Sequence, residues 1–316
     1  MVRILANDGI DPIGKKLLEE AGFVVDTETI AQNDLPAALK NYDAITVRSA
    51  TKIRKELIDQ CPNIKLIGRG GVGMDNIDVE YAKSKGINVV NTPAASSQSV
   101  AELVFAHLFT GIRFLQDANR QMPLYGNTQF DQLKKNYAKG VELRGKVIGI
   151  IGFGRIGREV AKIALGLGME VLAYDLFPNN PTITLKFYGG KTLDIDIQFV
   201  DLENIIRKSD FISLHTPFSE KPLLDAASFA KTKKGVGIVN CSRGGVINEE
   251  DLIEALNSGQ VSFAGLDVFE NEPTPSSAIL NHPKISLTPH IGASTNEAQE
   301  RIGTELAELI IAHFKN

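Results

Sequence analysis

Short apolar runs alternate with amphipathic stretches along the whole chain. The runs, bounded by polar turns, read as strands buried on both faces. The stretches between them repeat their apolar positions every three or four residues and read as helices. Two series emerge. The first has candidate strands at 3–6, 24–27, 44–48, 65–68 and 88–91, with helical patterns such as 14–21 and 35–39 between them. The second has 147–151, 171–174, 199–200, 211–214, 237–240, 264–267 and 285–287. Strands separated by helices pair in parallel, so each series predicts a doubly wound α/β unit with helices on both faces of its sheet.

Between the series lies Ser96-Ser97-Gln98-Ser99-Val100-Ala101-Glu102. Ser99 and Glu102 have capping-box spacing and predict a long apolar helix running to about Ala118, long enough to link two domains. The tail, 296–314, reads as another amphipathic helix, placed to cross back to the first unit. The least regular stretch, 178–190, reads as a surface insertion just past the strand ending at Tyr174.

One strand-to-helix turn carries specific chemistry: Gly152-Phe153-Gly154-Arg155-Ile156-Gly157. Gly152 permits a tight turn, Gly154 lets backbone approach a pyrophosphate, and Gly157 lets the helix pack closely on its strand. The N–H groups at the helix start then face the phosphates. The next strand ends in Asp175, about 20 residues on, where an acid accepts hydrogen bonds from the ribose hydroxyls and repels a 2′-phosphate. Leu176 and Phe177 supply no cation, so the pattern predicts NAD over NADP.

Composition narrows the setting. The 316 residues suffice for two full-sized cores, and 43% hydrophobic with 23% charged residues is ordinary for a globular chain. A net charge of −4 and a pI near 5.8 argue against a general binder of nucleic acid or anionic membrane. Cys61 and Cys241 lack CxxC partners, which predicts a reducing compartment and no zinc or other metal site. The first residues are strand-like rather than a signal peptide, and no apolar run approaches the ~20 residues of a membrane span, so a cytoplasmic location is expected.

A second glycine loop, Gly68-Arg69-Gly70-Gly71-Val72-Gly73, repeats the GxGxxG letters, but the strand after it ends in Asn91 rather than an acid. It reads better as an anion pocket, with N–H groups of Gly71, Val72 and Gly73 holding a carboxylate and Arg69 meeting a second anion. Three late segments begin at predicted strand ends: Asn240-Cys241-Ser242-Arg243-Gly244-Gly245, Asp267-Val268-Phe269-Glu270-Asn271-Glu272-Pro273 and Pro289-His290-Ile291-Gly292-Ala293-Ser294. Ligands bind at such ends in open parallel sheets. Arg243 can fork onto a carboxylate, and His290 can exchange a proton with a 2-hydroxyl or 2-keto oxygen while hydride moves. Glu272 can hold the other imidazole nitrogen and stabilise the imidazolium, with Glu270 as its rival. Of the other histidines, His107 reads as packed in an apolar helix, His282 and His313 as surface residues, and His215 as part of a cofactor rim. Cys241 has no base nearby in sequence to make it a nucleophile.

These segments, together with Val47-Arg48-Ser49-Ala50-Thr51, Met74-Asp75-Asn76, Asn91-Thr92-Pro93 and His215-Thr216-Pro217, carry a resemblance. Over essentially its whole length the chain resembles the D-isomer-specific 2-hydroxyacid dehydrogenases. Arg48 and Arg69 point to the branch whose small-molecule substrate is a phosphorylated 2-hydroxy acid. Branches acting on unphosphorylated acids are the alternative, and an NADH-sensing, corepressor-like binding role is a more distant one.

The resemblance implies a Rossmann NAD-binding domain, 98–290, inserted into a flavodoxin-like substrate domain, 1–97 and 291–316, and a homodimer formed through the NAD domain. It implies Arg243, Glu272 and His290 as catalytic residues, its spacing favouring Glu272 over Glu270. It places Arg155, Ile156, Asp175, His215, Thr216 and Pro217 at the cofactor, with Cys241, Ser242, Asp267, Gly292 and Ala293. Arg48, Ser49, Arg69, Gly71, Val72 and Gly73 are the expected substrate ligands. The sequence stops at Asn316 directly after the tail helix, so inhibition through an appended serine-binding domain is not expected.

Overall fold

The structure, a computed structural model, describes residues 1–178 and 180–315; Asn179, inside the expected 178–190 insertion, and Asn316 lie outside the described residues. Contacts divide the chain into Met1–Ser99 with Ala293–Asn316, and Val100–Gly292.

In the first unit, strands β1 (Arg3–Ala6), β2 (Val24–Asp26), β3 (Ala44–Val47), β4 (Leu66–Arg69) and β5 (Asn88–Asn91) form a wholly parallel sheet in the order β2-β1-β3-β4-β5. Successive side chains point to opposite faces, so each strand feeds two cores. Leu5, Ile45 and Ile67 enter one, and Ile4, Ala44 and Leu66 the other. The tail helix, Asn296–Lys315, closes the second face with Leu306, Ala307 and Ile310.

In the second unit, β6 (Val147–Ile151), β7 (Glu170–Tyr174), β10 (Gln198–Phe199), β11 (Phe211–Leu214), β12 (Val236–Asn240), β13 (Val261–Leu266) and β14 (Ile285–Leu287) form a seven-stranded parallel sheet. Its order is β10-β7-β6-β11-β12-β13-β14, the doubly wound dinucleotide-binding arrangement with an added edge strand. The α/β class with parallel sheets is as the alternation predicts.

Three local expectations are corrected. Residues 178–190 are not an irregular insertion: β8 (Thr182–Lys186) and β9 (Thr192–Asp196) pair as an antiparallel hairpin. Ile183 is buried in the core, with Leu185 and Ile195 packed against it. The hairpin turn holds Gly189 and Gly190 at φ 91° and 83°, which glycine adopts without strain. The linking helix does not run unbroken to Ala118. It ends at Ile112, Phe114 takes φ 56°, and a new helix spans Leu115–Tyr125. The Phe114 ring lies 6.0 Å from that of Tyr137. Finally, the helix starts at Ser97, so Ser99 and Glu102 lie inside it rather than forming its cap.

Candidate active site

Strand register aligns the carboxyl ends of the second sheet. Ile151 pairs with Tyr174 and Leu214, Leu214 with Asn240, Asn240 with Leu266, and Leu266 with Leu287. The segments beginning at Gly152, Asp175, His215, Cys241, Asp267 and Thr288 therefore leave the sheet in one row.

At one end of the row the glycine turn fits a dinucleotide. Gly152 has φ 92°, and a side chain there would also strike the His215 carbonyl. A Cβ at Gly157 would collide with the Gly152 carbonyl, whereas one at Gly154 would meet only open space. The helix Arg155–Gly166 starts with no side-chain cap, leaving its first N–H groups for an anion. Asp175 accepts the N–H groups of Phe153 at 2.7 Å and Phe177 at 2.9 Å, which fixes the carboxylate and leaves it further lone pairs for a ribose. Leu176 and Phe177 are exposed. Next to Gly152, the buried His215 Nδ1 and Thr216 Oγ1 make no hydrogen bond, while His215 Nε2 lies 2.8 Å from Ser213 Oγ. Buried polar atoms are ordinarily paired, and a polar cofactor edge would fit these two. Burial pushes the His215 imidazole down to about 3, so it stays neutral. Pro217 is exposed beside them.

Further along the row the late segments converge. His290 Nδ1 lies 2.8 Å from Glu272 Oε2, with both side chains partly open to solvent. Glu272 Oε1 accepts the Phe269 N–H at 3.0 Å. Burial alone would raise the Glu272 carboxyl, but the bond to His290, its charge, the Phe269 N–H and the Arg243 charge together hold it below its ordinary value. Glu270 is engaged elsewhere: it accepts the Glu249 N–H at 3.0 Å, while Glu249 accepts the Glu270 N–H at 2.8 Å. Arg243 Nη1 donates to the Ser242 carbonyl at 2.6 Å, which orients the guanidinium. Gly244 packs so closely on Phe269 that a side chain would overlap its carbonyl, so glycine is what brings the Arg243 loop against the Glu272 segment.

His290 occupies the left-handed region at φ 54°, at a cost of about 1–3 kcal/mol for a residue with a side chain. Asp267 holds that conformation. Its carbonyl accepts the His290 N–H at 2.9 Å, and its carboxylate accepts the Ile291 and Gly292 N–H groups, both at 2.8 Å. Asp267 is 1% exposed, so the structure shows it bracing the His290 turn from below. Cys241 is also buried; desolvation first, then the Asp267 charge, raises its thiol well above the ordinary value, which leaves it inert. Ser242 donates from N and Oγ to Asn240 Oδ1, and Asn240 Nδ2 donates to the Arg243 carbonyl at 2.8 Å. Ala293 falls in the first unit, where its carbonyl accepts from Gln299 Nε2.

In the first unit, Arg48 directly follows β3 and Arg69 ends the neighbouring β4; the Gly70 N–H donates to the Val47 carbonyl and the Arg48 stem lies beside Gly70. The loop from Arg48 to Thr51, including the exposed Ser49, is pinned by Asp8, which accepts from the Arg48 N–H at 2.7 Å, and by Asn76, which donates to the Arg48 carbonyl at 2.8 Å. Arg48 also lines a pocket of about 250 Å³ at the carboxyl ends of β1 and β3, the switch point of this sheet. The expected cradle is smaller than its glycines implied. The Gly71 N–H donates to the Arg69 carbonyl at 2.9 Å, and Arg69 Nη1 donates to the Gly70 carbonyl, so only Val72 and Gly73 remain of the three donors.

Asn240, Asp8 and Asn76 brace these loops although no motif assigns them that role; Asn240 ends β12 and Asp8 lies just past β1, polar residues at strand ends where backbone bracing is needed, whereas Asn76 sits in the long loop after β4. His107 is buried as expected, but its ring nitrogens are 2.9 Å from Ser286 Oγ and 3.0 Å from Thr288 Oγ1, partners no local pattern announced. Among the described residues no group of His, Cys, Asp and Glu could hold a metal ion, and no helix is long and apolar enough to cross a membrane.

Known proteins match this arrangement. The sequence model for the D-isomer specific 2-hydroxyacid dehydrogenase NAD binding domain matches residues 105–292. A hydroxypyruvate reductase of Thermotoga maritima is 42% identical over 314 residues, covering 98% of this chain and 97% of that protein. A D-3-phosphoglycerate dehydrogenase of Methanocaldococcus jannaschii is 40% identical over 312 residues, covering 98% of this chain but only 57% of that protein. Among solved structures, D-lactate dehydrogenase from Aquifex aeolicus complexed with NAD and lactic acid superposes with a TM-score of 0.77 at 28% identity, covering 99% of this chain and 95% of that one. The glycine turn that fits a dinucleotide, the row of loops at the strand ends and these matches agree: the chain belongs to the D-isomer specific 2-hydroxyacid dehydrogenases, and its cofactor is NAD.

Proposed function

We propose that the chain oxidises D-3-phosphoglycerate to 3-phosphohydroxypyruvate, the entry reaction of the phosphorylated route to serine. The observation that carries the chemistry is the 2.8 Å contact of His290 with Glu272 beside Arg243. NAD supplies a two-electron acceptor for the hydride on substrate C2. Glu272, a carboxylate, accepts from His290, which therefore holds its proton on Nδ1 and offers Nε2 as the base. The C2 hydroxyl proton passes to His290 Nε2 as the hydride leaves, and Glu272 stabilises the imidazolium. In reverse, His290 returns that proton to the keto oxygen. Arg243 forks onto the substrate carboxylate and draws electron density from the carbonyl. Gly152, Gly154, Gly157 and Asp175 hold the adenosine and pyrophosphate, and His215 and Thr216 contribute polar edges.

Arg48 and Arg69 support the phosphate: two cations at the carboxyl ends of adjacent strands suit a dianion, whereas an uncharged C3 group needs neither. Val72 and Gly73 contribute N–H groups. The second reading, reduction of hydroxypyruvate or glyoxylate, is favoured by the match to the Thermotoga maritima protein along nearly its full length. The two separate in steady-state kinetics with NADH. A phosphate site predicts a kcat/KM for 3-phosphohydroxypyruvate at least about tenfold above that for hydroxypyruvate. Equal values, or a preference for hydroxypyruvate, overturn the phosphate assignment.

The reading includes a homodimer through the second unit. Its support is the set of exposed apolar residues on two successive helices: Leu115, Met122, Leu124 and Tyr125, then Phe130. A sedimentation mass of one chain at micromolar concentration would exclude it.

A further inference from the structure

Thr288 links Asp267, which braces the His290 turn, to the buried His107, which the proposed reaction does not use. Its hydroxyl donates to Asp267 Oδ1 at 2.7 Å and lies 3.0 Å from His107 Nε2. A hydroxyl has one proton. With that proton directed at the carboxylate, the Thr288 oxygen accepts from His107, which must carry its hydrogen on Nε2. His107 Nδ1 then accepts from Ser286 Oγ at 2.9 Å. Both nitrogens are thus satisfied by the neutral ring, and burial, opposed by the Asp267 charge, lowers its pKa in keeping with that state. The ring has a built seat: a Cβ at Gly265 on β13 would stand 2.5 Å from His107 Cβ.

From Asp267 the chain of contacts reaches the acid–base residue. The same Oδ1 that takes the Thr288 proton accepts the Ile291 N–H, Oδ2 accepts the Gly292 N–H, and the carbonyl accepts the His290 N–H. We propose that His107 and Thr288 are positioning residues for His290: they fix the rotation of the Asp267 carboxylate, which locks the left-handed turn from which His290 reaches Glu272. A carboxylate on two rotatable bonds holds a strained backbone only if its own orientation is held. Thr288 holds it on one oxygen, and His107 prevents the hydroxyl from turning away. A histidine present only for packing would need neither partner.

The proposal rests on His290 as the acid–base group, and its test keeps the two ideas apart. Thr288→Val preserves shape and removes the link; Thr288→Ser restores the hydroxyl. Wild type and both variants are assayed with NADH and 3-phosphohydroxypyruvate or hydroxypyruvate, NADH binding is measured by fluorescence, and the His290 Cε1 resonance is followed in ¹³C-histidine-labelled protein, assigned with His290→Asn. Thr288→Val is expected to lower kcat about tenfold, to leave KM and the NADH Kd within about twofold, and to shift the His290 resonance, with Thr288→Ser recovering most of both. Wild-type kcat and an unmoved resonance in Thr288→Val overturn the proposal. So does a loss that serine does not repair. If Thr288→Val fails to fold, His107→Leu carries the same expectations. If the wild type turns over no 2-keto acid, the functional reading fails, and the His290 resonance still decides whether the network positions that ring.

Discussion

Glu272 reaches His290 and Glu270 does not. The contact of Glu272 Oε2 with His290 Nδ1 is 2.8 Å, while Glu270, two residues earlier, closes a reciprocal pair with Glu249 at the start of the helix Glu249–Ser258. Neighbouring carboxylates therefore have separable roles. Glu272→Gln is expected to lower kcat about 10–100-fold with NADH binding little changed, because the imidazolium loses its counter-charge. Glu270→Gln is expected to lower the Tm and leave kcat within about threefold. Steady-state assays and thermal melts of the pair check this; equal losses of kcat would remove the distinction. The Glu272 pKa is depressed, so its bond stabilises the fold above its unfolded pKa and is lost only as pH falls through the lower folded value. Glu272 therefore stays charged across the neutral range.

Asp175 holds the Phe153 N–H, and its proposed role is to read the ribose. Asp175→Ala is expected to weaken NADH binding about 10–100-fold and to make NADPH use measurable. Unchanged NADH affinity with NADPH turnover still undetectable would show that the acid does not read the ribose.

Much of this was legible because it is local. The glycine turn, the terminal Asp175 and the polar segments after apolar strands each lie within a few residues, and strand pairing then brought the segments into one row. What escaped depends on contacts distant in sequence or on competing local signals. The hairpin shows the second: Thr182-Ile183-Thr184-Leu185-Lys186 alternates with period two, yet the nearby prolines and the Gly189-Gly190 pair read as loop. The break at Phe114 brings its ring to that of Tyr137, a residue distant in sequence. Thr288 meets His107 across 181 residues, and nothing in either neighbourhood names the other. The Gly71 N–H turns back to Arg69, which the glycine letters alone do not reveal.

His215 makes the fold acid-sensitive. Its folded pKa is pushed down to about 3 by burial, against about 6.5 when unfolded. Between those values only the unfolded chain binds the proton, so stability is full above about pH 6.5 and declines as pH falls, by up to about 1.4 kcal/mol per pH unit. His107, also lowered, acts in the same direction. Urea unfolding at pH 7, 6 and 5 is expected to show a shallower decline in His215→Gln than in wild type. Parallel declines would mean that the ring is not held neutral.

Arg48 is the residue that separates the two substrate readings. Arg48→Ala is expected to raise KM for 3-phosphohydroxypyruvate about tenfold or more and to change KM for hydroxypyruvate by less than about threefold, since only the first loses a charge-assisted contact. Equal effects on the two substrates would place Arg48 at the shared carboxylate end or in the structure of the loop.

The central claim, proton exchange by His290 during hydride transfer, is tested most directly by the single-turnover rate of NADH oxidation in His290→Asn saturated with NADH and keto acid. The predicted result is a rate at least about 100-fold below wild type, with the NADH Kd unchanged within about threefold. A rate equal to that of wild type at full NADH occupancy would contradict the account.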